Sequence, residues 1–186
     1  MKSLRVLAID PGTDESAFVV WDGAVILDHA LLPNQELLDL MRGDDLGYYG
    51  ADACVIEMIA SYGMPVGREV FETCVLIGRL AEIWDTWTGQ HETEANAPLP
   101  LAQLVYRRDV KLHCCGDSRA KDANIRQYLI DRLGHPGVKK SPGVTYGIKG
   151  DEWQALALAV TWWDKQHRKI QTEAAREREP IAARPF

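Results

Sequence analysis

Four cysteines in 186 residues, two of them adjacent at Cys114 and Cys115, are too few and too awkwardly spaced for a disulfide framework or a zinc knuckle. A reducing cytoplasm is the expected setting. Nowhere do 18 apolar residues run without interruption, so no membrane-spanning helix is expected. Met1-Lys2-Ser3 leads straight into a strand-like run, without the apolar stretch and small-residue cleavage site of a signal peptide. No glycine-rich Walker loop is present, which argues against that class of nucleotide hydrolase. Positive charge is also short: 21 Lys/Arg against 27 Asp/Glu leave a formal net charge of -6. What is there is globular in balance, 46% hydrophobic and 26% charged, at the length of one ordinary domain. The expected division is a domain over 1–167 and a charged extension over 168–186.

The charge is unevenly spread. Residues 105–149 carry 10 Lys/Arg and 4 Asp/Glu, a local excess of +6 in an acidic chain. A polyanion is the natural partner for such a stretch, although a merely solvated face would look the same.

Hydrophobic periodicity gives an alternating α/β order with a mixed sheet. Leu4–Ile9 reads as a first strand and Ser16–Trp21 as a second. Asp22-Gly23 is a hairpin turn, and Ala24–Leu27 is the return strand. A short helix is expected after Pro33, then a strand over Ala53–Glu57. A long helix over Val66–Trp87 is marked by Val70, Cys74, Ile77, Leu80 and Trp84, with Gly78 as a possible close backbone approach. Leu104–Tyr106 is a short strand, Ser118–Leu133 a helix, and His135–Ile148, with three glycines and two prolines, a mobile segment. Asp151 to about His167 is the last helix.

Three acids close such elements. Asp10 ends the first strand just before Pro11-Gly12, Glu57 ends the strand Cys54-Val55-Ile56, and Asp151 opens the last helix beside Glu152. Each has an ordinary explanation: a turn-forming Asp, a strand reaching solvent, and acids at a helix N-terminus. If the two strands are neighbours, however, Asp10 and Glu57 converge. Carboxylates sharing a cleft then need a proton or a cation between them. Oxygen ligands from three distant segments suit a hard divalent ion and metal-assisted phosphodiester hydrolysis.

Leu7-Ala8-Ile9-Asp10-Pro11-Gly12, Val55-Ile56-Glu57, Arg108-Asp109-Val110-Lys111 with Gly116–Ile125, and Asp151–Ala159 together resemble the motifs of the RuvC-like Holliday-junction resolvases. These are a branch of the ribonuclease H-like superfamily, and bacteriophage-encoded members are the nearest in pattern. The resemblance spans about residues 4–165 and implies an α/β fold with a mixed central sheet flanked by helices. It implies a homodimeric, structure-selective endonuclease that resolves four-way DNA junctions with Mg²⁺, or Mn²⁺ as substitute. It assigns Asp10, Glu57 and Asp151 as catalytic and metal-binding. A fourth acidic position of the family falls on Gln154, which brings no charge, so Glu152 and Gln154 are accessory candidates. Tyr62 or Met64 is a candidate for the family's wedge residue after the glutamate. Lys111, Arg119, Lys121 and Arg126 are the expected DNA contacts, extended by Arg107, Arg108, Lys139, Lys140 and Lys149. Cations at Arg119 and Lys121, in the first turn of the expected helix, oppose its dipole unless a phosphate is their partner.

His113 reads as a surface or phosphate-facing residue. The tryptophan pairs Trp84/Trp87 and Trp162/Trp163 read as core or dimer contacts. Two other readings of function stay open: a nuclease with broader branched or flap targets, and a junction-binding protein whose cleavage is lost or reduced at Gln154. Asp-Pro-Gly-Thr also resembles a phosphate loop of the actin-like sugar kinases, but 186 residues are too few for their two domains.

Overall fold

A computed structural model of the chain describes residues 4–43, 50–61, 63, 65–89 and 99–178. Five strands form one sheet: β1 (Val6–Asp10), β2 (Glu15–Trp21), β3 (Ile26–Pro33), β4 (Ala53–Met58) and β5 (Gln103–Tyr106), in the order β3-β2-β1-β4-β5. The first three are an antiparallel meander, and β4 and β5 join it in parallel. The β2–β3 turn is the expected Asp22-Gly23 turn, with Asp22 Oδ1 accepting the amides of Ala24 and Val25 at 2.9 and 2.8 Å. β3 begins two residues later than Ala24 and extends to Pro33, and α1 (Asn34–Arg42) follows at once.

Strand residues alternate between two faces, and each face has its own core. Leu7 and Ile9, Phe18 and Val20, and Cys54 and Ile56 meet α1 and α2 (Arg68–Thr88), which contribute Leu37, Leu38, Met41, Leu76, Ile77, Leu80 and Trp84. Val6 and Ala8, Ala17, Val19 and Trp21, and Ala53 and Val55 face α3 (Arg107–Cys115), α4 (Asp122–Leu133) and α5 (Glu152–Arg178). The run Ala155–Val160 is buried on every side, its small alanines letting α5 lie close over β1 and β2.

Gly78 marks no close approach: a Cβ there would meet nothing within 4 Å, and the residue faces outward. The helix expected from Ser118 begins only at Asp122, because Asp117–Ala120 is spent in a turn. Arg119 and Lys121 therefore precede the helix and do not sit in its first turn. Asn124 Oδ1 accepts the Lys121 amide at 3.0 Å and so caps the entry. The segment 135–148 carries a two-strand ladder, β6 (Gly137–Val138) and β7 (Ser141–Pro142), followed by a turn through Tyr146. The last helix does not stop near His167 but continues to Arg178. Trp84 and Trp162 are core residues. Trp84 Nε1 donates to the Pro100 carbonyl at 2.9 Å, and Trp162 Nε1 donates to Gln103 Oε1 at 3.0 Å. Among the described residues no helix is long and apolar enough to cross a membrane.

Candidate active site

The alternation of the strands decides where the acids point. Val6 and Ala8 face α5, so Asp10, two residues on, belongs to the same face; Ala53 and Val55 place Glu57 there in the same way. β1 and β4 are parallel neighbours in register from Val6↔Ala53 to Ile9↔Ile56. The next step along the two strands brings Asp10 beside Glu57 at the carboxyl edge of the sheet.

Glu57 is 3% exposed, so its strand does not close on solvent. Its carboxylate is held by Arg107, whose Nη1 donates to Oε1 at 3.0 Å and reaches Oε2 at 3.4 Å, while Nη2 donates to Asp122 Oδ1 at 2.8 Å. Arg107 opens α3 immediately after β5, the strand next to β4. A cation in that first turn opposes the helix dipole, and the two carboxylates supply the compensating charge. Burial and then the neighbouring carboxylate Glu57 push Asp10 up to about 8, with Asp151 and Asp122 adding to the rise and Arg107 opposing it. Burial also raises Glu57, against the pull of Arg107. The Arg107 guanidinium is driven further up by these acids although burial opposes its charge. One guanidinium thus serves three carboxyl groups, Glu57, Asp10 and Asp122.

The turn after Asp10 is pinned from two elements, β2 and α1. Gly12 admits no side chain, since a Cβ would fall 2.2 Å from the Glu15 carbonyl oxygen. Buried Ser16 accepts the Gly12 amide at 3.3 Å and donates to Asn34 Oδ1 at 2.6 Å. Asn34 Nδ2 donates back to the Gly12 and Thr13 carbonyls at 3.1 and 2.8 Å.

Asp151 lies in the exposed turn before α5, where its backbone oxygen accepts the amides of Gln154 and Ala155 at 2.8 and 3.2 Å. It is near enough to Asp10 to raise its affinity for a proton. Glu152 is turned elsewhere: its Oε2 accepts the Lys149 amide at 2.8 Å and its Oε1 lies 3.3 Å from His29 Nδ1 on β3, which ties the start of α5 to the sheet. Gln154, 6% exposed, lines a cleft of about 680 Å³ between α4 and α5 together with Asp122, Arg126, Lys149 and Trp153. The Arg126 guanidinium lies 5.1 Å from the Trp153 ring centroid, a cation–π distance.

The basic residues fall into two groups around these acids. Arg107, Arg108, Lys111 and Ser118 line a cavity of about 330 Å³. Arg126 and Lys149 border the larger cleft, while Lys139 and Lys140 form the β6–β7 turn and Arg119 and Lys121 the loop before α4, all exposed. Tyr62 and Met64, the wedge candidates, lie outside the described residues. His113 is not a surface residue. Its Nε2 lies 2.8 Å from Asp164 Oδ2, and Arg168 Nη2 lies 3.0 Å from its Nδ1. Arg132 grips the same Asp164 with both guanidinium nitrogens. Burial opposes the Asp164 charge, but the hydrogen bonds from Arg132 and His113 outweigh it and hold the carboxyl below its ordinary range.

No family model matches the chain, and no curated protein matches it in sequence. Solved structures do match. Thermus thermophilus RuvC is 18% identical, with a TM-score of 0.56 over 85% of this chain and 92% of that one. The T. thermophilus RuvC structure in complex with a Holliday junction substrate gives a TM-score of 0.58 over the same shares. The yeast mitochondrial Holliday junction resolvase Ydc2 is 12% identical, with a TM-score of 0.61 over 94% of this chain and 86% of that one. The chain has the RuvC-like fold.

Within the RuvC-like fold, itself ribonuclease H-like, the oxygen donors suit a hard divalent ion in kind, but they are incompletely gathered. Two carboxylates share the sheet edge. Among the described residues no group of three or more His, Cys, Asp or Glu side chains is close enough to hold a metal. Glu57 is engaged by Arg107 and Asp151 stands out in its turn. Sequence reasoning missed Asp122 as a site acid and placed Arg107 only on the outer DNA surface. It also missed Ser16 and Asn34. An Arg at the first position of a helix, where its charge is unfavourable, was the available signal for Arg107.

Proposed function

We propose that the chain is a metal-dependent endonuclease that resolves four-way DNA junctions. The observation that carries the reading is half-buried Asp10 beside buried Glu57 on adjacent parallel strands, next to a surface of exposed Lys and Arg, in a RuvC-like fold. Burial and then the neighbouring Glu57 carboxylate raise the proton affinity of Asp10, and a bound divalent ion would offset both. Asp10, Glu57 and Asp151 would hold Mg²⁺ or Mn²⁺, with Asp151 brought inward from its exposed turn. When bound, the ion supplies a nucleophilic water and neutralises the leaving 3′-oxygen. Ser16 and Asn34 keep the Asp10 carboxyl at the sheet edge. Lys111, Arg108, Arg126 and Lys149 fix the DNA by its phosphates, positioning the scissile bond without reading sequence. Gln154 lends an amide to the cleft where the family has an acid.

Symmetric cutting of a junction needs two such sites, hence a homodimer. The outward face of α2, where Phe71 and Val75 are 60% and 65% exposed, supports that expectation. Four free thiols suit a reducing cytoplasm.

The test is cleavage of a synthetic four-way junction against linear duplex, with Mg²⁺ or with EDTA. The reading requires junction-selective cutting that EDTA abolishes. Equal cutting of flaps and junctions would replace it with a broader branched-DNA nuclease. Tight junction binding without any cutting would replace it with a binding protein, the alternative favoured by Gln154 and by the loosely gathered acids.

A further inference from the structure

We infer that Arg107 is an internal counter-cation that closes the metal site: it occupies Glu57 in the DNA-free protein and must leave before a divalent ion is bound. This rests on the metal-site reading above and deepens it. Three observations point the same way. Arg107 Nη1 lies 3.0 and 3.4 Å from the two oxygens of Glu57, so a second cation at that carboxylate must approach against the guanidinium charge. Its other arm is anchored on Asp122 at 2.8 Å, which makes the contact a two-point clamp between the end of β4 and the start of α4. Three carboxyl groups, Glu57, Asp10 and Asp122, act on the one guanidinium, a set that a doubly charged ion satisfies better than a singly charged one.

The clamp is also built to open. The Arg107 side chain is 32% exposed, while Glu57 beneath it is 4% exposed, so the arginine sits on the solvent side of the carboxylate. Arg107 also lines the open cavity of about 330 Å³ with Arg108, Lys111 and Ser118, so the displaced guanidinium can swing toward solvent, where water screens it from those two cations. Exposed Asp122, which lines the larger cleft, remains as its partner. The arrangement explains why the acids are not gathered: as long as the guanidinium holds Glu57, no ion draws Asp151 in toward Asp10.

The readout is Mn²⁺ binding to the DNA-free full chain, followed by the paramagnetic resonance of free Mn²⁺, with no dependence on cleavage. Arg107→Gln is expected to bind Mn²⁺ about tenfold more tightly than the wild type, the equivalent of one charged hydrogen bond no longer competing. Lys111→Gln removes a nearby positive charge that touches neither carboxylate, and is expected to gain less than about threefold. Arg107→Lys keeps the charge but cannot span Glu57 and Asp122 as a fork, so its gain falls between the two. It also guards against a folding defect in Arg107→Gln. Unchanged or weaker Mn²⁺ binding in both Arg107 variants overturns the clamp, and so does an equal gain from Lys111→Gln, which would reduce the effect to net charge. Asp10→Asn separates this from the parent reading. If Asp10→Asn abolishes Mn²⁺ binding while the Arg107 variants gain nothing, the metal site stands and only the clamp falls. If Mn²⁺ binding ignores Asp10, both fall.

Discussion

The two faces of the central sheet are filled from the same strands by alternate residues, yet they do different work. On the face toward α1 and α2 the alternation ends in apolar side chains, Ile9 on β1 and Ile56 on β4, sealed by Leu76, Ile77, Leu80 and Trp84. On the other face the same strands bring Asp10 and Glu57 to the sheet edge, where Arg107 of α3 covers Glu57, and clefts lined by Arg107, Lys111, Arg126 and Lys149 open on the same side. A shift of one residue in either strand would exchange the two. The comparison shows that strand parity alone decides whether the sheet edge carries apolar side chains or carboxyl groups.

The sharpest way to break the comparison is at its two ends. Asp10→Asn is expected to lower junction cleavage on the order of a thousandfold or more while leaving junction binding intact, measured by gel assay on one substrate. Trp84→Ala, on the opposite face, should cost about 3 kcal/mol or more of stability in denaturant titration, with cleavage per folded molecule unchanged. If Trp84→Ala instead removed cleavage from folded protein, the separation of the faces would be wrong.

A third test concerns what holds the reactive face together. Asp164→Ala strips Arg132 and His113 of their shared partner between α3, α4 and α5. It is expected to destabilise by about 2 kcal/mol, less than a fully buried pair because the carboxylate is partly exposed. The fourth is a pH profile. Asp10 takes up its proton near pH 4 when unfolded but holds it to about 8 when folded, so between those values the native state binds the extra proton. Stability of the metal-free protein should therefore fall as pH rises from about 4 to 8. Asp10→Asn should flatten that profile; an equal slope in the variant would remove Asp10 as its source. The smallest effect is at the rim. Lys111→Ala or Arg126→Ala should weaken junction binding by about three- to tenfold and lower the slope of log affinity against log salt by about one.

Much of this was legible in the chain because it is local. Short apolar runs over 4–9 and 53–57 marked the strands, and Asp22-Gly23 marked the hairpin. The long apolar period of residues 68–88 set α2, though its interior Gly78 faces open space and not a neighbouring backbone. What failed was the reach of individual side chains. Glu152, adjacent to Asp151, turned to His29, because the first turn of a helix sends neighbouring residues about 100° apart. Arg119 and Lys121 lost their place in the helix because Asp117–Ala120 forms a turn whose hydrogen bond is not visible as periodicity.

The amino-acid sequence by itself determined that Asp10 and Glu57 would each end a strand on a definite face, because strand parity is a property of successive residues. Tertiary structure alone decided that β4 lies parallel beside β1, that the two carboxylates are neighbours, and that Arg107 from the far side of β4 reaches Glu57 while Asp151 stays out. Those are matters of strand order and charge balance across 50 and more residues of chain, and no local pattern encodes them.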